Sequence, residues 1–197
     1  MMMLVVGLII FLGIHVLPTS PDIRDALKGR MGETAYKALF SLVSLIGLVI
    51  IVFGYHKMQL NPGKNPLLWD PPTWTRHIAV LLMLPAMIFL VAAYIPSRIR
   101  TALKHPMLVA IKIWALAHLI ANGDVASLLL FGSFLAYAVY DRISVKKRGA
   151  TGPLGPIIAT PAMNDFYAVV LGAVLYAALL LGGHGWLFGV SPIPALG

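Results

Sequence analysis

The feature that most constrains this chain is a succession of apolar runs, each near the length of a bilayer core, separated by short polar segments. Met1–Leu17, Tyr36–Tyr55, Ile78–Tyr94, Lys104–Asp124, Val125–Tyr140 and Met163–Leu181 are each mostly apolar. A hydrocarbon core about 30 Å thick takes roughly 20 helical residues to cross. Within it only helices and closed barrels satisfy their own backbone hydrogen bonds. Long runs without strict alternation predict helices, so the expected fold is all-α: an integral membrane helical bundle of about six transmembrane helices. Composition agrees. The chain is 59% hydrophobic and 11% charged, whereas soluble domains carry about 25% charged residues. Its 197 residues accommodate one such bundle, residues 1–197 as a single transmembrane domain.

Charge placement predicts the orientation. Arg24, Lys28, Arg30 and Lys37 follow the first run, Arg98, Arg100 and Lys104 the third, and Arg142, Lys146, Lys147 and Arg148 the fifth. The opposite side holds only Lys57, Lys64 and Arg76 in its loops. The positive-inside rule then puts both termini outside, periplasmic for a bacterial cytoplasmic (inner) membrane. Met1–Leu17 lacks a basic leader and a small-residue cleavage pattern, so it is expected to stay as the first helix. The formal net charge of +8 is therefore topology, and the expected partner is membrane lipid, with no nucleic acid. The absence of cysteine excludes disulfides, cysteine-ligated zinc, iron–sulfur clusters and covalent c-type haem. A metal here would be held by histidine, by carboxylate or through a cofactor.

The fourth run, KHPMLVAIKIWALAHLIANGD, carries the main candidate residues. Pro106 suits the first helical turn and Asn122-Gly123-Asp124 is a stop signal. His118 falls about 18 Å along that helix at ~1.5 Å per residue. An ionisable group at such depth is a functional hypothesis by default. At helical spacing Ile111, Trp114, His118 and Asn122 share one stripe, with His105 and Lys112 on another. On the first run, Leu4, Leu8, Phe11 and His15 form a similar stripe. Two histidines on separate helices, with almost no carboxylate in the spans, resemble the axial ligation of a b-type haem. His15 and His118 are then the candidate metal ligands, with Trp114 and Asn122 beside them. By residue count His15 stands near the cytoplasmic edge and His118 deeper, so one shared iron requires a tilted haem or a displaced helix. The structural alternative is a histidine hydrogen-bonded across helices.

Other positions invite plainer readings. His105 with Arg98, Arg100 and Lys104 either caps a helix and touches lipid headgroups, or binds haem propionates or another anionic group. His56, His77 and His184 at span ends read as interfacial packing, and Asp165 as a cap for its own helix. Gly47 and Gly54 permit close helix approach, and Pro85 predicts a kink. No arrangement of Ser, His and Asp, no phosphate-binding glycine loop and no paired carboxylates within the spans can be read, so no catalytic residue is assigned. Any chemistry belongs to a cofactor. Small residues lie on several helices and leave the oligomeric state open.

Three motifs carry a resemblance. Gly7 with Phe11-Leu12-Gly13-Ile14-His15, Gly32-Glu33 with Tyr36-Lys37-Ala38-Leu39-Phe40, and Lys104-His105-Pro106 with Trp114-Ala115-Leu116-Ala117-His118-Leu119-Ile120-Ala121-Asn122-Gly123-Asp124 together resemble the NnrU family over essentially the whole chain. The resemblance implies a bacterial membrane protein linked to denitrification, with a role in nitrite and nitric oxide reductase expression or assembly. That family is similar to 15-cis-ζ-carotene isomerase, a haem b membrane enzyme whose two proposed haem histidines match His15 and His118. What this implies is haem b and a redox or isomerase activity on an apolar polyene lipid. The isomerase carries a cysteine three residues before its second histidine. Ala115 stands there in this chain, so a ligand-switching mechanism is not implied. His105-Pro106 is also similar, more weakly, to isoprenylcysteine methyltransferase-like membrane enzymes, which implies a soluble cofactor on the cytoplasmic face.

Overall fold

The structure, a computed structural model, describes residues 1–150 and 161–193. Most of the Gly/Pro-rich connection expected up to Pro161 lies outside the described residues. Among these residues every regular element is helical: α1 (Met2–Val16), α2 (Pro21–Met31), α3 (Glu33–Gln59), α4 (Thr73–Ala92), α5 (Arg98–Leu103), α6 (Pro106–Ala121), α7 (Val125–Lys147), α8 (Ala162–Ala178) and α9 (His184–Phe188). Five segments are long and apolar enough to cross a membrane: Met2–Thr19, Glu33–Gln59, Thr73–Ala92, Val125–Lys147 and Ala162–Phe188. The remaining apolar helix, α6, has 16 residues, short of the roughly 20 a straight crossing takes.

The boundaries differ from the apolar runs for local reasons. The basic segment after the first run is not a loop but α2. Pro21 opens it with Asp22 in the first turn, Lys28 and Arg30 sit in the last, and Gly32 at φ 83° ends it. Each of these is favoured by the helix dipole or by the geometry of a helix end. α7 continues past Tyr140 to Lys147, because helix propensity and lysines at a C-terminus outlast the apolar pattern. α4 runs through Pro85.

The chain divides into two compact units, Met1–Asp70 with Asn122–Ser144, and Pro71–Ala121 with Val145–Gly197. In the first unit α1 packs along α3. Leu4, Leu8, Ile51, Met58 and Ala126 form its core, joined by Phe11, Tyr55 and Phe134. The contact is close because glycines face backbone. A Cβ built on Gly54 would lie 2.5 Å from Leu4 N, and one on Gly47 would lie 2.8 Å from Phe11 N. At the mouth of this unit, Asn65 and Asp124 tie the α3–α4 connection to the start of α7. Asn65 Nδ2 donates to Asp124 Oδ1 at 2.9 Å, and Ala126 N donates to Asn65 Oδ1 at 2.8 Å.

In the second unit α4 packs against both α6 and α8. A Cβ on Gly172 of α8 would lie 2.5 Å from Ile88 Cα of α4. The short α5 touches α4, α6 and α8. Leu42, Leu45, Val49, Val52 and Phe53 of α3, and Phe166, Leu171 and Val174 of α8, remain exposed. Aliphatic surface of this extent does not suit water and fits the hydrocarbon of a bilayer.

Candidate functional site

His15 lies in the last turn of α1. Its Nδ1 is 2.6 Å from the carbonyl oxygen of Phe11, one turn earlier. A carbonyl only accepts, so Nδ1 carries the proton of the neutral ring and the lone pair sits on Nε2. Aromatic rings surround the imidazole within the first unit. Phe11 lies 4.2 Å away between centroids, Phe40 5.1 Å and Tyr137 6.1 Å, the last two edge-on. Tyr137 Oη also donates to the His15 carbonyl at 3.3 Å. Below it, Thr19 and Tyr140 hydroxyls meet at 3.1 Å. The setting is apolar, with one nitrogen whose tautomer is fixed.

His118 repeats the pattern in the second unit. It stands in the last turn of α6, and its Nδ1 donates to the Trp114 carbonyl at 2.8 Å. The Trp114 ring lies 5.5 Å away. Metal-binding histidines commonly donate their other N–H to a backbone carbonyl, which fixes the tautomer and aims the ring. Trp114 therefore lies against His118 through both its carbonyl and its ring. Asn122 lies one residue beyond the end of α6. Ala115, three residues before His118, is fully buried.

Arg98, Arg100 and His105 gather at the α5–α6 corner of the same unit, and they do not form one exposed basic face. Arg100 is 3% exposed and His105 9% exposed. The Arg100 N–H donates to Oγ of Ser97, the cap of α5, at 3.2 Å. Arg98 projects outward, with Nε 3.8 Å from Asp165 Oδ2. His105 contributes a helix start: the Val109 N–H donates to its carbonyl at 3.3 Å. Lys104 before it takes φ 62°, an uncommon conformation for a residue with a β-carbon. Asp165 does more than favour its own helix. Its Oδ1 accepts from Ile99 N at 3.2 Å, at the first turn of α5, and Asn164 Nδ2 donates to Pro96 O at 2.6 Å. The start of α8 thus holds α5 in place.

Sequence spacing missed two further arrangements. Asp124 collects hydrogen bonds from Ser127 N (3.0 Å), Ser127 Oγ (2.6 Å) and Gln59 Nε2 (3.2 Å), besides Asn65. His184, read as interfacial packing, lies against His118, with ring centroids 6.3 Å apart. Both depend on partners far away in sequence, which no local pattern reveals. A cavity of about 500 Å³ opens at the other end of α1 from His15, lined by Met1, Met2, Met3, Val6, Lys57 and Met58 among others. It contains no histidine. Among the described residues no group of three or more His, Cys, Asp or Glu side chains comes together.

Long apolar helices, lipid-compatible surfaces and imidazoles set in helix ends define a multi-pass helical membrane protein. The chain belongs to the NnrU family: the model of the family described as NnrU protein matches residues 3–192, nearly the whole chain. No curated protein and no solved structure matches it.

Proposed function

We propose that this NnrU-family protein binds haem b in the bacterial inner membrane, with His118 and His15, each within its own unit, as the candidate residues that would hold its iron. The observation that carries the reading is the shared tautomer. Each imidazole gives its Nδ1 proton to the carbonyl one turn back, leaving the lone pair on Nε2, the atom that binds iron. The donor set suits this group. Haem supplies four nitrogens of its own, so a protein without cysteine needs to add only imidazoles. Trp114 beside His118, and Phe11, Phe40 and Tyr137 beside His15, are the apolar walls a porphyrin favours. When bound, haem supplies one-electron iron chemistry. The reading extends to a redox or isomerase activity on an apolar polyene lipid, and to a role in nitrogen-oxide respiration. In it, Arg98, Arg100 and His105 remain the residues proposed for haem propionates or another anionic group.

The same reading includes six crossings with α6 as the fourth, and both termini periplasmic. Two pairings support it. Within the first unit, Leu68 N donates to Gly123 O at 2.8 Å and Val125 N to Pro66 O at 3.2 Å. These join two connections that the charge rule assigns to the same outer side. In the second unit, Asp165 and Asn164 meet Ile99 and Pro96, two segments the rule assigns to the inner side.

The test is colour. Protein purified in mild detergent from haem-supplied cells is expected to show a Soret band, with sharp α and β bands after dithionite reduction. A colourless protein from such cells rejects the haem reading. A second reading, a non-catalytic membrane factor supporting expression or assembly of nitrite and nitric oxide reductases, is favoured by the ring packing of Phe11, Phe40 and Tyr137 on His15. In that case the histidines are structural and the purified protein is colourless.

A further inference from the structure

The cavity at the far end of α1 from His15 belongs wholly to the first unit, since every residue lining it lies between Met1 and Lys64. Its volume, about 500 Å³, falls in the range of about 300–1,000 Å³ usual for small-molecule sites. α1 begins there and α3 ends there, side by side because glycines let their backbones meet. A Cβ on Gly7 would lie 2.7 Å from Ile51 N. After α3 ends at Gln59, the chain enters the short turn Pro62–Lys64. Asn61 fixes that turn at both sides: its Nδ2 donates to the Lys57 carbonyl at 2.7 Å, and its own carbonyl accepts from Lys64 N at 2.8 Å. The turn brings Lys64 to the same cavity as Lys57.

The lining has two characters. Met2, Val6, Ile50 and Met58 give apolar walls, and Lys57 and Lys64 give charge. No ion pair among the described residues takes up either ammonium. Asp124, a carboxylate of the same unit, is held instead by Ser127, Asn65 and Gln59. Lysines at a helix end can reach lipid headgroups by snorkelling without any built site. Two observations set this pair apart. They share one cavity with apolar walls. They are also two of only three cations, with Arg76, on the side where the charge rule gives no reason for a lysine. Apolar walls, cations without carboxylates and a place at the ends of two spans suit an amphiphile with an anionic head. The surface continues the match. Met2, Val6 and Ile9, at helical spacing on α1, are all exposed and lead from the cavity along the helix.

We propose that this cavity binds an anionic phospholipid. Lys57 and Lys64 hold the headgroup phosphate through charge-assisted hydrogen bonds, and the stripe of Met2, Val6 and Ile9 carries the start of an acyl chain. A zwitterionic lipid fits less well, because its own ammonium already neutralises its phosphate. The site is separate from the histidines and does not depend on the haem reading.

Native mass spectrometry of the full-length protein in detergent, titrated with phosphatidylglycerol or phosphatidylcholine of identical chains, tests it. The wild type is expected to hold one phosphatidylglycerol about tenfold more tightly than phosphatidylcholine, a factor that two lysines near an anionic headgroup can supply. The double variant Lys57→Gln/Lys64→Gln is expected to lose that preference, and Lys57→Arg/Lys64→Arg to keep it. Arg76→Gln, which removes a cation outside the cavity, is expected to keep it too. Val6→Trp, which fills the cavity and leaves its charge, is expected to weaken binding of both lipids. Millimolar inorganic phosphate is expected to leave the bound lipid in place, and circular dichroism checks that each variant retains its helices. The proposal is overturned by a wild type without headgroup preference, or by a preference that survives Lys57→Gln/Lys64→Gln. Equal loss in Arg76→Gln overturns it in favour of diffuse charge attraction, and unchanged binding in Val6→Trp removes the cavity from the account. Displacement of the lipid by phosphate makes this a simple anion site and overturns the lipid assignment.

Discussion

Asp124 shows how much one residue can organise. Its carboxylate caps α7 through the Ser127 N–H and hydroxyl, and it also accepts from Asn65 and Gln59. Burial pushes its carboxyl up, but the bonds from Ser127 and Asn65 outweigh burial and hold it below the usual carboxylate range. The stabilisation is therefore complete above the unfolded value of about 3.9 and is lost as pH falls through the lower folded value. Asp124→Ala is expected to cost about 1–2 kcal/mol, as for a lost helix cap. Thermal unfolding in detergent would measure it, and the difference between variant and wild type should shrink as the pH drops below about 4. An equal deficit at pH 3 and pH 7 would contradict the charged cap. The sequence identifies Asn122-Gly123-Asp124 as a break between helices. It does not identify the partners, because Gln59 and Asn65 come from another connection. His15 and His118 are legible as helix-borne histidines for a simple reason: their Nδ1 partners are the carbonyls one turn back, a local pattern.

At the scale of elements, close approach sets the packing. Gly54 lets α3 meet the backbone of Leu4, and backbone cannot yield as a side-chain end can. Gly54→Val is expected to separate α1 from α3 and to destabilise the first unit by about 1–3 kcal/mol, the usual range for overpacking. Gly13→Val, with open space around its Cβ, is the control and should change unfolding by less than about 0.5 kcal/mol. Equal effects in both would remove the close-approach argument. The long helices are legible because apolar runs of bilayer length leave little alternative. α2 is carried by Pro21, Asp22, Lys28 and Arg30, signals easily passed over when a basic stretch is read only as topology. The kink at Gly182 is not legible. Gly182-Gly183 reads as the end of a span, and only the position of α6 shows where His184 is delivered.

For the whole molecule, topology and cofactor are the two claims to test. The chain has no cysteine, so single introduced thiols report sidedness cleanly. Exposed Arg30 on α2 and exposed Lys64 between α3 and α4 are assigned to opposite sides by the charge rule. A membrane-impermeant maleimide should label Lys64→Cys in intact spheroplasts and Arg30→Cys only after lysis. The reverse pattern would invert the protein in the membrane. The central claim is that an imidazole on α6 holds haem iron, and the most direct measurement is the haem content and reduced absorption spectrum of His118→Ala beside wild type. The expected result is stoichiometric haem with sharp reduced bands in the wild type, and loss of haem or a broad high-spin spectrum in His118→Ala with helicity retained. Equal haem and superimposable spectra in the two proteins would contradict it.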